Sequence, residues 1–118
     1  MRILAFAFAF ALLVVSAPAF SATLQDDLNG LTPVATNISQ TAMAGNWPAT
    51  MSKAGLLSKR WSELRPKIAT NRLLRAHAET MDAALAWMSA AIAQRSPKST
   101  RDAATMVSKT VHEIGEDM

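Results

Sequence analysis

The chain has 118 residues, no cysteine, and twelve Lys and Arg against nine Asp and Glu. A formal charge of +3 is too small to mark a nucleic-acid binder. The missing thiols exclude disulfides, thiolate metal sites, haem attachment through Cys-x-x-Cys-His, and a lipid anchor on a signal-peptide cysteine.

The chain opens MRILAFAFAFALLVVSAPAFSA. Arg2 supplies a short positive region, Ile3 to Val15 is uninterruptedly apolar, and Pro18 precedes small residues, which together read as a cleaved signal peptide over residues 1–21. The apolar run would cover only about 20 Å as a helix, short of the roughly 30 Å of a bilayer core. Cleavage can follow Ala19, Ser21 or Ala22. Residues 22–118 then form a single domain, and without Arg2 its net charge is about +2, which together with export argues against a nucleic-acid partner.

Residues 24–44 place Leu24, Leu28, Leu31, Ala35, Ile38 and Ala42 at steps of four and three, the stripe of an amphipathic helix. Pro33 removes one backbone donor, so a bent helix is expected, with a break at Thr32 as the alternative. Gly45 and Asn46 supply a stop and a new cap. The second stretch, starting "WPATM", carries Trp47, Met51, Ala54, Leu57, Trp61, Leu64 and Ile68 on one stripe. Fourteen residues separate the two tryptophans, about 40° around a helix axis, so both are expected in the core and not beside Lys53, Lys59 and Arg60.

Pro66 disfavours helical geometry at Arg65, so a turn is expected between Arg65 and Asn71, with Thr70 or Asn71 capping the third helix. That helix runs to about Gln94 on a stripe of Leu74, Ala78, Met81, Leu85, Met88 and Ile92. Leu73, Ala84, Trp87 and Ala91 widen it on one flank, and Leu73, Ala84 and Trp87 there are suited to homodimerisation. Ser96 before Pro97, or Ser99 before Asp102, starts a fourth helix with Ala104, Val107, Val111 and Ile114 inward and Gly115 as its stop. No stretch alternates with a period of two. Short connections make neighbouring helices antiparallel, so the expected fold is an all-α, up-down-up-down four-helix bundle.

In that bundle the turn between helices 2 and 3 shares one end with the start of helix 1 and the finish of helix 4. Arg65, Lys67, Arg72 and Arg75 gather there as a candidate anion or partner contact, opposed by Asp26, Asp27, Glu113, Glu116 and Asp117. His77 and His112 fall near the same end, where imidazole and carboxylate could hold a divalent transition metal. Neither lies in a His-Glu-x-x-His or Glu-x-x-His pattern. In size and export the chain resembles soluble cytochromes of the b type, a resemblance that implies a methionine early in helix 1 and a histidine late in helix 4. His112 stands where the histidine would, but no methionine lies near Leu24, so no ligand residue is carried over and no cofactor is assigned.

There is no Gly-x-Ser-x-Gly, no glycine-rich phosphate loop and no nucleophile at fixed spacing from a histidine, so no enzyme is expected. The expected function is an exported, periplasmic or secreted, non-catalytic binding or accessory role through contact with a protein or envelope component. The alternatives are a metal or haem carrier centred on His77 and His112, and a reversible, peripheral binder of anionic membrane surface.

Overall fold

The computed structural model describes residues 23–118, and the expected signal peptide and its cleavage site lie outside them. The described chain is all-helical: α1 (Leu31–Met43), α2 (Trp47–Ala69), α3 (Arg72–Ala93) and α4 (Pro97–Asp117), with residues 23–29 forming a helical lead-in to α1. α1 packs on α2, α2 on α3, α3 on α4, and α4 closes back on α1, an arrangement compatible with a four-helix bundle. The α2–α3 contact is the sparsest of the four. Among the described residues no helix is long and apolar enough to cross a membrane.

The stripes predicted for α1, α3 and α4 form the interior. Leu28, Leu31, Ala35, Ile38 and Ala42 are fully buried, as are Met81, Val107 and Ile114, and Leu74, Met88 and Val111 nearly so. Leu24, Trp47, Ala54 and Leu85 pack against this core from its edge, so of the two predicted core tryptophans Trp61 (3 % exposed) is sealed and Trp47 is half-buried. At the start of α2 the inward residue is Thr50, and the expected Met51 is 60 % exposed. The exchange has a polar cause: the Thr50 hydroxyl meets Thr41 Oγ1 at 2.8 Å and the Asn46 carbonyl at 2.8 Å, which lets a small polar side chain occupy the crowded base of the α1–α2 hairpin.

Three expected breaks fall elsewhere. Pro33 has no N–H for the carbonyl of Asn29, and the helix is interrupted at Gly30, whose backbone nonetheless stays helical at φ −65°, ψ −15°. The interruption therefore falls at Gly30 and not at Thr32, the place of the alternative break. α2 runs through Pro66 to Ala69. The proline deprives only the Ser62 carbonyl of its donor, and burying Leu64 and Ile68 on either side needs the helix to continue. α4 runs through Gly115, whose absent side chain serves packing: a Cβ there would lie 3.0 Å from Gln25 Nε2 on the lead-in.

The two connections at the Gly45 end are built alike. Gly45 N–H donates to the Ala42 carbonyl and Asn46 N–H to that of Thr41; Arg95 and Ser96 repeat both bonds onto Ile92 and Ala91. Asn46 and Ser96 then cap α2 and α4 by accepting from Ala49 N–H and Ser99 N–H. Buried positions also recur fifty residues apart, as in Leu28 and Ala78, Leu31 and Met81, Ile38 and Met88, Leu57 and Val107, Trp61 and Val111, and Leu64 and Ile114. The molecule is thus two helical hairpins in matching register, with equivalent positions differing most in size at Leu28 and Ala78 and at Trp61 and Val111.

Thr50 and Thr100 are such a pair, and both are fully buried. Thr50 has two partners, whereas Ala91 stands where Thr41 would and the Thr100 hydroxyl has no hydrogen-bond partner. The same substitution should therefore act with opposite sign: Thr100→Val stabilises by about 1 kcal/mol by removing an orphaned hydroxyl, and Thr50→Val destabilises by about 1 kcal/mol. Urea unfolding of the two variants measures both.

Candidate functional site

The best-built polar cluster lies across the α2–α3 seam. Burying the ring of Trp61 requires an acceptor for its indole N–H, and Asp82 of α3 provides one: Trp61 Nε1 donates to Asp82 Oδ1 at 2.8 Å. The other carboxylate oxygen accepts from Arg65, with Nε and Nη2 each 2.8 Å from Oδ2. Arg65 follows Trp61 by one helical turn, so both donors project from one face of α2. Burial pushes the Asp82 carboxyl up, but the hydrogen bonds from Arg65 and Trp61 and the Arg65 charge outweigh it and hold the group below the ordinary carboxylate range. The hydrogen bond and charge of Asp82 in turn raise Arg65 above its ordinary value. This cluster is a latch between two helices, and it removes Arg65 from the expected basic patch.

The remaining bases of that patch do not converge. Lys67 lines a cleft of about 400 Å³ between α2 and the lead-in, shared with Arg60, Glu63, Asp26 and Asp27. Arg75 reaches back to the Ala69 carbonyl at 3.5 Å, where a cation complements the exposed end of α2. Arg72 sits in the first turn of α3 and is exposed. Asp26 and Asp27 thus face basic residues as expected, while Glu113, Glu116 and Asp117 are used otherwise.

Those three acids engage the histidines. His77 Nε2 lies 2.8 Å from Asp117 Oδ2, and its Nδ1 is 3.8 Å from Glu113 Oε2. His112 pairs with Glu116 one turn along α4 and stands in solvent. The structure therefore gives each ring its own carboxylates on neighbouring faces of α4. The two acids beside His77 approach opposite edges of the ring, which orients the imidazole between α3 and α4 and does not aim three donors at one point. Among the described residues no group of three or more His, Cys, Asp or Glu is placed to hold a metal ion.

The outer face of α3 was only partly foreseen. Ala84 is buried, so the expected flank of Leu73, Ala84 and Trp87 divides: Leu73 is 77 % exposed near the start of α3 and Trp87 is 42 % exposed toward its end. Ala83, Ala86 and Ala90 surround Trp87 on the solvent side. A second feature lies on the other flank of the same helix, a groove of about 440 Å³ between α2 and α3 that runs from Ser58 to Arg95.

Because the folded pKa of Asp82 is depressed, its contribution is fully present above the unfolded carboxylate value of about 4 and is lost as pH falls through the lower folded value. The unfolded chain binds more protons in that window, so stability falls with acidification. Asp82→Asn should shallow this decline, seen in urea unfolding followed between about pH 5 and pH 2. Asp82→Ala should cost about 1–3 kcal/mol at neutral pH by orphaning the buried indole N–H, and should shift Trp61 emission.

No protein-family model, no curated protein and no solved structure matches the chain.

Proposed function

We propose that this chain is an exported, periplasmic or secreted, up-down-up-down helical bundle that works by binding and not by catalysis, and that its partner is a protein of the cell envelope. The outer face of α3 carries this reading. From Ala83 to Gln94 the helix has no charged residue, although Ala83, Ala86, Trp87 and Ala90 are exposed. A helix facing only water normally carries charge on that side. Small side chains around one aromatic anchor instead make a flat surface on which another helix can lie closely, with the indole as the residue that contributes most.

Two further observations support the reading. The polar side chains that could have carried chemistry are engaged with one another, in the Asp82 latch and in the His77 and His112 pairs. The acids around His77 lie on opposite edges of its ring, an arrangement that lends no support to a metal carrier centred there. The basic residues are divided between a latch, a mixed-charge cleft and a helix end, an arrangement that weakens the reading of a surface for anionic membranes.

A charge placed in the α3 face tests the proposal. Trp87→Glu and Ala90→Arg should leave the helical signal and melting temperature close to those of the parent. Both should abolish recovery of a specific crosslinked partner from the native envelope, and Lys98→Glu on α4 should not. Size measurement by light scattering identifies a second copy of the chain as the partner if the parent is dimeric and both variants are monomeric. Equal recovery with all three variants would show that the face is not used.

A further inference from the structure

We propose that the groove between α2 and α3 binds a single-chain anionic amphiphile, a medium-chain carboxylate, with its tail along Leu85, Met88 and Ile92 and its head group on Arg95. The site lies on the opposite flank of α3 from Trp87 and does not depend on the protein-contact reading. Its volume of about 440 Å³ falls within the roughly 300–1,000 Å³ typical of small-molecule sites. From Leu85 to Arg95 the groove follows α3 for about 15 Å, near the length of an extended ten- to twelve-carbon chain.

The internal repetition supplies a comparison within the molecule. The equivalent seam between α4 and α1 carries a smaller depression of about 280 Å³, lined by Ala35, Thr36, Ser39, Gln40, Ala104, Thr105 and Ser108. Its counterpart between α2 and α3 is larger and has the long side chains of Met51, Leu85, Met88 and Ile92, with Ser58 and Ser89 beside them. The two seams thus differ in the size of the trough and in the length of the apolar side chains that line it.

Two residues at the rim have features that folding does not explain. Arg95 holds φ +50°, the left-handed region that L side chains rarely adopt, at the position where the equivalent turn uses Gly45 at φ +74°. A glycine would close the same turn without strain, so the retained side chain points to a use for its charge. No salt bridge joins Arg95 to a carboxylate among the described residues. Gly55 lies in the middle of α2 with ordinary backbone geometry, and a Cβ built on it would have no atom within 4 Å. Glycine weakens a helix interior, and here no close approach compensates; what its missing side chain does is leave the trough open beside Leu85 and Met88. A trough lined by Met51, Leu85, Met88 and Ile92, edged by Ser58 and Ser89 and with Arg95 as the one charged residue of its lining, matches an amphiphile with one anionic head.

Titration calorimetry at neutral pH with decanoate, kept below micelle formation, tests the proposal against 1-decanol and decyltrimethylammonium. Decanoate should saturate one site, and both comparators should bind at least tenfold more weakly. Arg95→Gly should weaken decanoate at least tenfold and leave 1-decanol unchanged while raising the melting temperature, so that lost binding cannot be lost folding. Gly55→Leu should block decanoate with helicity retained. The proposal is overturned by an absence of saturable decanoate binding, by equal affinity for the ammonium compound, or by undiminished binding in Arg95→Gly.

Discussion

The structure depends on the indole of Trp61 being buried where α2 meets α3. A sealed tryptophan needs somewhere to put its N–H, and here the acceptor is a carboxylate, which is itself unfavourable in a partly buried seam unless a cation accompanies it. Arg65 completes the set from the next turn of α2. Three residues from two helices are thus mutually required, and they fasten the middle of the sparsest helix contact in the molecule. The trough lies on the Arg95 side of this latch. A seam fastened in the middle can border a cavity without losing its register.

Much of the interior was legible because it rests on periodicity alone. The inward residues of α1, α3 and α4 stand at helical spacing, and the lengths of the connections leave few ways to pack them. What was not legible depended on a neighbour in space. Met51 and Thr50 are adjacent in sequence and either can continue the stripe of α2; the choice was decided by Thr41 across the hairpin, whose hydroxyl makes a buried threonine acceptable. Pro66 and Gly115 read locally as stops, yet both lie inside helices because burial of Leu64, Ile68 and Ile114 outweighs the local preference. Asp82 carried a signal that could have been used: it is the sole charge between Thr80 and Gln94, and a hairpin turning at Thr70 and Asn71 sets that stretch opposite Trp61.

The charges at the shared end follow the same distinction. Counting acids and bases suggested mutual neutralisation, and the balance of opposite charges there is real. The pairing is different, because geometry and not abundance selects partners. Glu113 and Asp117 lie one turn apart on the side of α4 that faces α3, which commits them to His77, while Glu116 points outward to His112. Arg75 donates to the Ala69 carbonyl and takes the end of α2. A surface that looks like a basic patch in one dimension is, in three, several separate contacts with distinct structural duties.

The correspondence between the two hairpins sharpens the reading of what remains. Two units packed in matching register should solve the same problem in the same way, so a difference between equivalent positions reflects either compensation in packing or a demand from outside the fold. Leu28 with Ala78 and Trp61 with Val111 are differences of size within the buried core, the kind that packing accommodates. Arg95 with Gly45 is not of that kind, since an arginine in left-handed geometry adds strain and fills no space in the core. Gly55 with Thr105 is not either, because nothing crowds the glycine. Both exceptions border the same trough, which is larger than its counterpart and lined by longer apolar side chains. Independent departures from an internal repeat that meet at one place are better explained by a ligand there than by the requirements of folding.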